Sequence, residues 1–242
     1  MSSMPAAPAV KALVFDVFGT VVDWRSSLIA DFTAWSAKRG VSGDWTGLVD
    51  AWRQAYKPSM DEVRKNPAAG FKMLDVLHRQ TLEKLVAQFG IVGLNEDDLD
   101  YLTKGWHRLK PWPDVVAGLT RLKTKFIIGT LSNGNVGLLT RMAKNAGLPW
   151  DLVMSAELFE HYKPDREAYL GAARLLNLPP EEVMLVAAHN DDLRAARSFG
   201  LKTGFVPRPT EYGPLQKKDF KADVEWDVMG ADFGQIADRL GC

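Results

Sequence analysis

Apolar residues along this chain follow two rhythms. In five places they form short runs rich in β-branched residues, at 10–15, 126–131, 152–155, 183–188 and 202–206. Most of these runs end at a polar or turn-forming residue, among them Asp16, Ser132-Asn133-Gly134-Asn135, His189 and Pro207. Runs this short and this apolar predict strands covered on both faces, as in a parallel sheet. Between them apolar positions recur at helical spacing over 136–146, 166–176 and 192–199, the last stopped by Gly200. Strands alternating with helices predict an open, mostly parallel sheet with helices on both faces, a Rossmann-like α/β fold.

The stretch 25–110 has only the helical rhythm. Leu28, Ile29, Phe32 and Trp35 form one such stripe, Leu48 with Trp52 and Met73 with Leu77 two more, and Leu82, Leu85, Val86 and Phe89 a fourth. Pro111-Trp112-Pro113-Asp114 then restarts the strand-and-helix pattern. The expected organisation is an α/β core built from 1–24 and 111–242, with an all-helical cap, 25–110, inserted after the first strand. Ligands of such sheets bind beyond the carboxyl ends of the strands. A helical insertion leaving from that edge would roof the site and exclude water, which suits an enzyme better than a scaffold.

Composition narrows the partners. Hydrophobic residues make up 46% of the 242 positions and charged ones 25%, the balance of a globular protein with a real core. Lys+Arg and Asp+Glu both count 30, so no global positive field exists to hold nucleic acid or an anionic membrane. No apolar run is long enough to span a bilayer. The start, Met1 to Pro8, lacks a basic region followed by an apolar one, so no signal peptide is expected. The single cysteine, Cys242, excludes an intrachain disulfide and suits a reducing cytoplasm. At the last position it is also a poor nucleophile. The eight tryptophans are expected mainly as core, and Gln216-Lys217-Lys218-Asp219 as a solvated loop.

Four polar groups fall at carboxyl ends of predicted strands: Asp16, Ser132-Asn133, Lys163, and His189 to Asp192. Asp16 alone reads equally well as a cap or turn residue. With three companions at equivalent places it reads as a carboxylate nucleophile. The segments Phe15-Asp16-Val17-Phe18-Gly19-Thr20, Leu131-Ser132-Asn133-Gly134, Tyr162-Lys163-Pro164-Asp165 and Asn190-Asp191-Asp192 resemble, in order and spacing, the four motifs of the haloacid dehalogenase superfamily. Phosphatases of that superfamily usually carry a second aspartate two residues after the nucleophile, as acid for the leaving alcohol. Here that residue is Phe18, which cannot donate a proton. The missing general acid is worth about 10²–10⁴-fold to ester cleavage, whereas a departing halide needs none.

The chain further resembles the type II (S)-2-haloacid dehalogenases, through Trp52-Arg53-Gln54, Lys163-Pro164-Asp165 with Tyr169 six residues after the lysine, and Arg197-Ser198-Phe199-Gly200. The resemblance implies hydrolysis of a small halogenated carboxylic acid through an ester on Asp16, with no cofactor and no metal; dimers are common in that family. Two carboxylates, Asp16 and Asp192, about 4 Å apart would repel by about 4 kcal/mol at an effective dielectric near 20, and Lys163 is placed to offset this. Thr20, Ser132 and the loop amides of Val17 and Phe18 are expected to orient Asp16 and hold the substrate carboxylate. Asn133 and Arg53 are expected to meet the halide, with a surface position the other reading for Arg53. Tyr169 completes the substrate-binding set. One segment departs from the family: Ala187-Ala188-His189-Asn190-Asp191-Asp192 stands where it reads approximately Ser-Ser-Asn-Ala-Trp-Asp. His189 reads either as a base of near-neutral pKa assisting Asp192 or as a loop histidine bonded to backbone. Asp191-Asp192 could also recreate a Mg²⁺ site, which keeps a Mg²⁺-dependent phosphatase as the alternative; an inactive binding relative is the third reading.

Overall fold

The computed structural model describes residues 9–242; the leader expectation for Met1 to Pro8 lies outside them. Strand β1 (Ala12–Phe15) runs to Asp16, and a tight turn leads into the two-residue β2 (Val22–Asp23). Four helices follow: α1 (Trp24–Arg39), α2 (Trp45–Lys65), α3 (Leu74–Gln88) and α4 (Glu96–Thr103). The chain returns through β3 (Lys110–Pro111), which pairs antiparallel with β2, Val22 opposite Pro111 and Asp23 opposite Lys110. Then come α5 (Val115–Lys123), β4 (Ile127–Ser132), α6 (Val136–Ala146), β5 (Leu152–Ser155), α7 (Arg166–Leu175), β6 (Val183–Ala187), α8 (Asn190–Ser198), β7 (Lys202–Phe205), β8 (Val228–Met229) and α9 (Phe233–Arg239).

Six strands form one parallel sheet in the order β5-β4-β1-β6-β7-β8. The α/β class is therefore as the sequence predicts, and the four helices α1 to α4 lie between β2 and β3. β1 lies between β4 and β6, with Phe15 level with Thr130 and with Val186. Asp16, Ser132 and Ala188 thus leave the same edge of three adjacent strands, where the chain order reverses across β1 and a crevice opens. All four residues of β1 are buried, and they alternate between layers. Leu13 and Phe15 pack with Ile128, Leu119 and Phe233, and Val14 packs on the other face with Leu131, Met154 and Ala172. Burying side chains of this size contributes about 1.5–3 kcal/mol each.

Three features differ from the sequence expectation. The β2–β3 ribbon joining cap and core was not foreseen, because two residues are too few to display an alternation. The short β8 escapes notice for the same reason. And β6 ends at Ala187, with α8 already under way at Asn190 rather than at 192. Asp191 and Asp192 consequently occupy the first helical turn, where backbone N–H groups favour negative charge.

The cap is held by its aromatic residues. Trp24, Trp52 and Trp106 are fully buried, with Trp52 edge-on to Trp106 at 5.6 Å. Its helices begin where the sequence supplies a cap: the Asp23 carboxylate accepts from the Ser26 amide, Asp44 from Gly47, and Asn95 and Asp98 form a capping box. Specific polar contacts join the helical stretch to the sheet region. Arg64 pairs with Asp165 at 2.6 Å, the Tyr162 hydroxyl donates to the Lys72 carbonyl, and the Asn135 amide donates to Asp75. No helix among the described residues is long and apolar enough to cross a membrane.

Candidate active site

Asp16 sits where β1 opens into the crevice, and both its oxygens are taken. Oδ2 accepts from the Thr20 hydroxyl at 2.7 Å and lies 3.1 Å from His189 Nδ1; Oδ1 accepts from Lys163 Nζ at 3.0 Å. Thr20 is buried behind the carboxylate and also accepts from the Ala188 amide, tying the β1 turn to the end of β6. Lys163 reaches Asp192 Oδ2 at 2.5 Å, so its ammonium stands between the two carboxylates. The Asn133 carbonyl oxygen accepts from the Lys163 amide at 2.8 Å, and the Tyr169 hydroxyl donates to Asp192 Oδ1 at 2.6 Å. Burial by itself would raise the Asp16 carboxyl, but Lys163 and then His189 and Thr20 overcome it and hold the group far below the ordinary carboxylate range. Burial likewise opposes the Lys163 charge, and Asp16 and Asp192 outweigh it, holding the ammonium above the usual lysine value.

Arg53 reaches this pocket from α2, so it is not a surface arginine. Its guanidinium lies over the faces of Tyr56 at 4.5 Å, Trp24 at 5.2 Å and Tyr212 at 5.8 Å. Nη2 is 3.5 Å from both the Tyr212 hydroxyl and Glu211 Oε1. Nη1 is buried without a hydrogen-bond partner among the described residues. Arg53, Asn133, Phe18, Tyr56, Asp16 and Lys163 line one cavity of about 270 Å³, which also takes in Asp192, Tyr169 and His189. Phe18 is edge-on to Trp106 at 5.7 Å and brings no acid to the site.

Other expected residues have different neighbours. Ser132 is fully buried and its hydroxyl accepts from the Gly134 amide at 3.2 Å; it shapes the loop and does not line the cavity. Val17 is buried too, its carbonyl accepting from the amides of Val21 and Val22 to close the turn. The clearest correction concerns His189. It is neither bonded to backbone nor set against Asp192: its ring bridges Asp16 through Nδ1 and Glu211 Oε2 through Nε2 at 2.8 Å. Burial would lower it, yet Glu211 and Asp16 prevail and hold it well above the ordinary histidine value. Asp191 faces the cavity mouth and pairs with Lys218 and Arg194 instead of joining Asp192. Lys218, read as part of a solvated loop, is exposed but borders that mouth.

Glu211 is the residue that sequence reasoning missed. It lies on the loop after β7 and is 1% exposed. It accepts from the Trp24 indole N–H at 3.0 Å and pairs with His189 and Arg53. Gly19 makes room for it: at φ +90 the backbone favours glycine, and a Cβ there would meet Glu211 Oε1 at 2.1 Å. Trp24 therefore serves the site through Glu211 without lining the cavity, and Trp45 packs within the cap against Phe32 and Trp35.

Comparison with known proteins agrees with this geometry. The family model of the haloacid dehalogenase-like hydrolases matches residues 10–200. The chain is 30% identical to an (S)-2-haloacid dehalogenase of Xanthobacter autotrophicus, over 82% of this chain and 76% of that protein. It is 28% identical to (S)-2-haloacid dehalogenase 4A of Burkholderia cepacia, over 95% and 99%. Among solved structures, the L-2-haloacid dehalogenase PA0810 superposes with a TM-score of 0.92 at 52% identity, covering 96% of this chain and 99% of that one. The defluorinating L-2-haloacid dehalogenase Rha0230 gives 0.92 at 45%, with 96% of each chain covered. With its motif residues gathered at one sheet edge and a matching family model over most of its length, the chain belongs to the haloacid dehalogenase-like hydrolases.

Proposed function

We propose that this protein hydrolyses short 2-haloalkanoic acids to 2-hydroxy acids through an ester on Asp16. The carrying observation is the pairing of Asp16, held by Lys163 and Thr20, with Phe18 at the position where a leaving alcohol would need an acid. Oδ2 has two donors and Oδ1 only Lys163, so Oδ1 is the attacking atom. Its electron pair forms the bond to the α-carbon while halide leaves with the pair of the broken bond. Arg53 Nη1 and the Asn133 side-chain –NH₂, whose carbonyl end is occupied by the Lys163 amide, receive the developing charge. Lys163 and the loop amides after Asp16 hold the substrate carboxylate. Water beside Asp192 then cleaves the ester. In this reading segments 1–24 and 111–242 form the catalytic unit and 25–110 the cap. The enzyme works in the cytoplasm on a small acid, with a homodimer as the assembly the family suggests.

The relatives' printed activities support this reading, and Lys163, between the two carboxylates, offsets their mutual repulsion. The test is a paired assay. Halide release from 2-chloropropionate and phosphate release from p-nitrophenyl phosphate are each followed with Mg²⁺ and with excess chelator. Halide in both conditions and no phosphate is expected. Mg²⁺-dependent phosphate release would overturn the reading.

A further inference from the structure

We infer that His189 acts in ester hydrolysis as a hydrogen-bond donor to Asp16 Oδ2, not as the base, and that Glu211 is the positioning residue that keeps it a donor. The inference rests on Asp16 being the nucleophile. Once Oδ1 has attacked, Oδ2 is the carbonyl oxygen of the ester, and it is this oxygen that becomes an oxyanion when water adds. Thr20 Oγ1 at 2.7 Å and His189 Nδ1 at 3.1 Å are already on it. Thr20 accepts from the Ala188 amide, so its own proton is directed at Asp16. Two donors fixed before the charge arises are what stabilises an oxyanion most.

The ring's proton inventory decides between donor and base. A base needs a ring nitrogen with a free lone pair. Both nitrogens of His189 face carboxylates, which when ionised only accept hydrogen bonds. The ring is therefore an imidazolium donating at both ends. Charge across the site agrees. Asp16, Asp192 and Glu211 bring three negative charges, and Lys163, Arg53 and His189 bring three positive ones. A neutral His189 would leave the pocket net negative and repel a haloacid anion. Tyr56, Tyr212 and Tyr169 also face this cluster, and Lys57, Asp61, Asp191 and Lys218, two of each sign, line the same cavity. Glu211, buried and gripped by the Trp24 indole and Arg53, is held in place and keeps the proton on the ring.

The chemistry balances without further reactants. Water bonds to Asp16 Cγ, one of its protons passes to Asp192, and the carbonyl pair moves onto Oδ2. When that pair returns, the Cγ–Oδ1 bond breaks and Oδ1 departs with the substrate carbon. The departing alkoxide takes the proton from Asp192 and leaves as the 2-hydroxy acid. The second water proton goes to solvent, and the regenerated carboxylate carries the water oxygen.

The experiment is a rapid-quench measurement of acyl-Asp16 decay against pH in the wild type, in His189→Gln and in Glu211→Gln. A donor must be protonated, so wild-type decay should be fast through neutral pH and fall as pH rises through the elevated His189 pKa. Glu211→Gln removes the anion that holds the proton and should move this fall to lower pH. His189→Gln should form the ester, slow its decay roughly 100-fold and abolish the limb. Decay that instead rises with pH through a group lost in His189→Gln would make His189 the base and overturn the inference. So would a limb unmoved in a folded Glu211→Gln protein. If that variant does not fold, the wild-type limb and His189→Gln decide alone. A wild type that never forms an Asp16 ester would defeat the proposed function itself, a different result from an ester whose decay ignores His189.

Discussion

The two ends of the cavity are built differently. At the end we propose for the nucleophile, Asp16, Thr20, Lys163, Tyr169 and Asp192 stand on or beside the parallel strands, and their polar contacts with one another run from 2.5 to 3.0 Å. At the end we propose for the halide, Arg53 projects from α2, is clamped by three aromatic faces, makes polar contacts no shorter than 3.5 Å, and leaves Nη1 without a partner among the described residues. The first end is satisfied before substrate arrives; the second keeps a donor in reserve. That difference fits a reaction in which a carboxylate of fixed charge attacks and a new anion appears elsewhere. Glu211 joins the ends, touching His189 on one side and Arg53 on the other.

The comparison can be broken from either end. Asp16→Asn should abolish halide release, with a loss of roughly 10⁴–10⁶-fold in single-turnover assays, as when other nucleophiles are removed; retention of more than a trace would relocate the nucleophile. Arg53→Ala should slow the halide burst about 100-fold or more, the effect of removing one preorganised donor from developing charge, while circular dichroism stays native. Near-normal turnover would show that the reserve donor is not used.

A third expectation concerns pH. Because its cations hold Asp16 far below the usual range, it stays ionised, and the burst rate should be flat between about pH 5 and 8. The sign for stability follows. A carboxylate depressed on folding stabilises the protein above its unfolded pKa near 4, and this contribution is lost as pH falls toward the folded value. A burst that decays through pH 5–6, with Asp16 as the titrating group, would contradict the cation clamp. The smallest effect is expected at the cap's outer clasp. Arg64→Ala removes a partly exposed pair with Asp165, worth about 0–1 kcal/mol, and should change turnover only about two- to threefold. A loss as large as that of Arg53→Ala would mean that cap closure, not donor chemistry, governs the halide end.

The nucleophile end was also the more legible in the sequence, for a physical reason. Strands buried on both faces leave continuous apolar runs, and their carboxyl ends mark where Asp16 and Ser132 lie, while Lys163, on the loop after β5, was legible through its Lys-Pro-Asp segment. The helices between β2 and β3 were legible as a change of period, and Arg53 through the residues beside it. Glu211 was not, because it sits in Thr210-Glu211-Tyr212, on a loop with no periodic pattern, and its partners Trp24, Arg53 and His189 are distant in the chain. The protonation of His189 was hidden with it, since a ring between two carboxylates differs from a ring beside one. Ser132 has the right residue type at the right strand end, yet its hydroxyl turns back to its own loop. Strand position fixes a site; hydroxyl direction does not follow from it.

The central claim, an ester on Asp16, can be read directly. Enzyme mixed with 2-chloropropionate in excess chelator is acid-quenched within one turnover, digested, and its peptides weighed. The peptide containing Asp16 should carry the propionate group in amounts matching the chloride released, and the group should disappear as the 2-hydroxy acid forms. Chloride released with that peptide unmodified throughout, or an adduct on another residue, would contradict the mechanism.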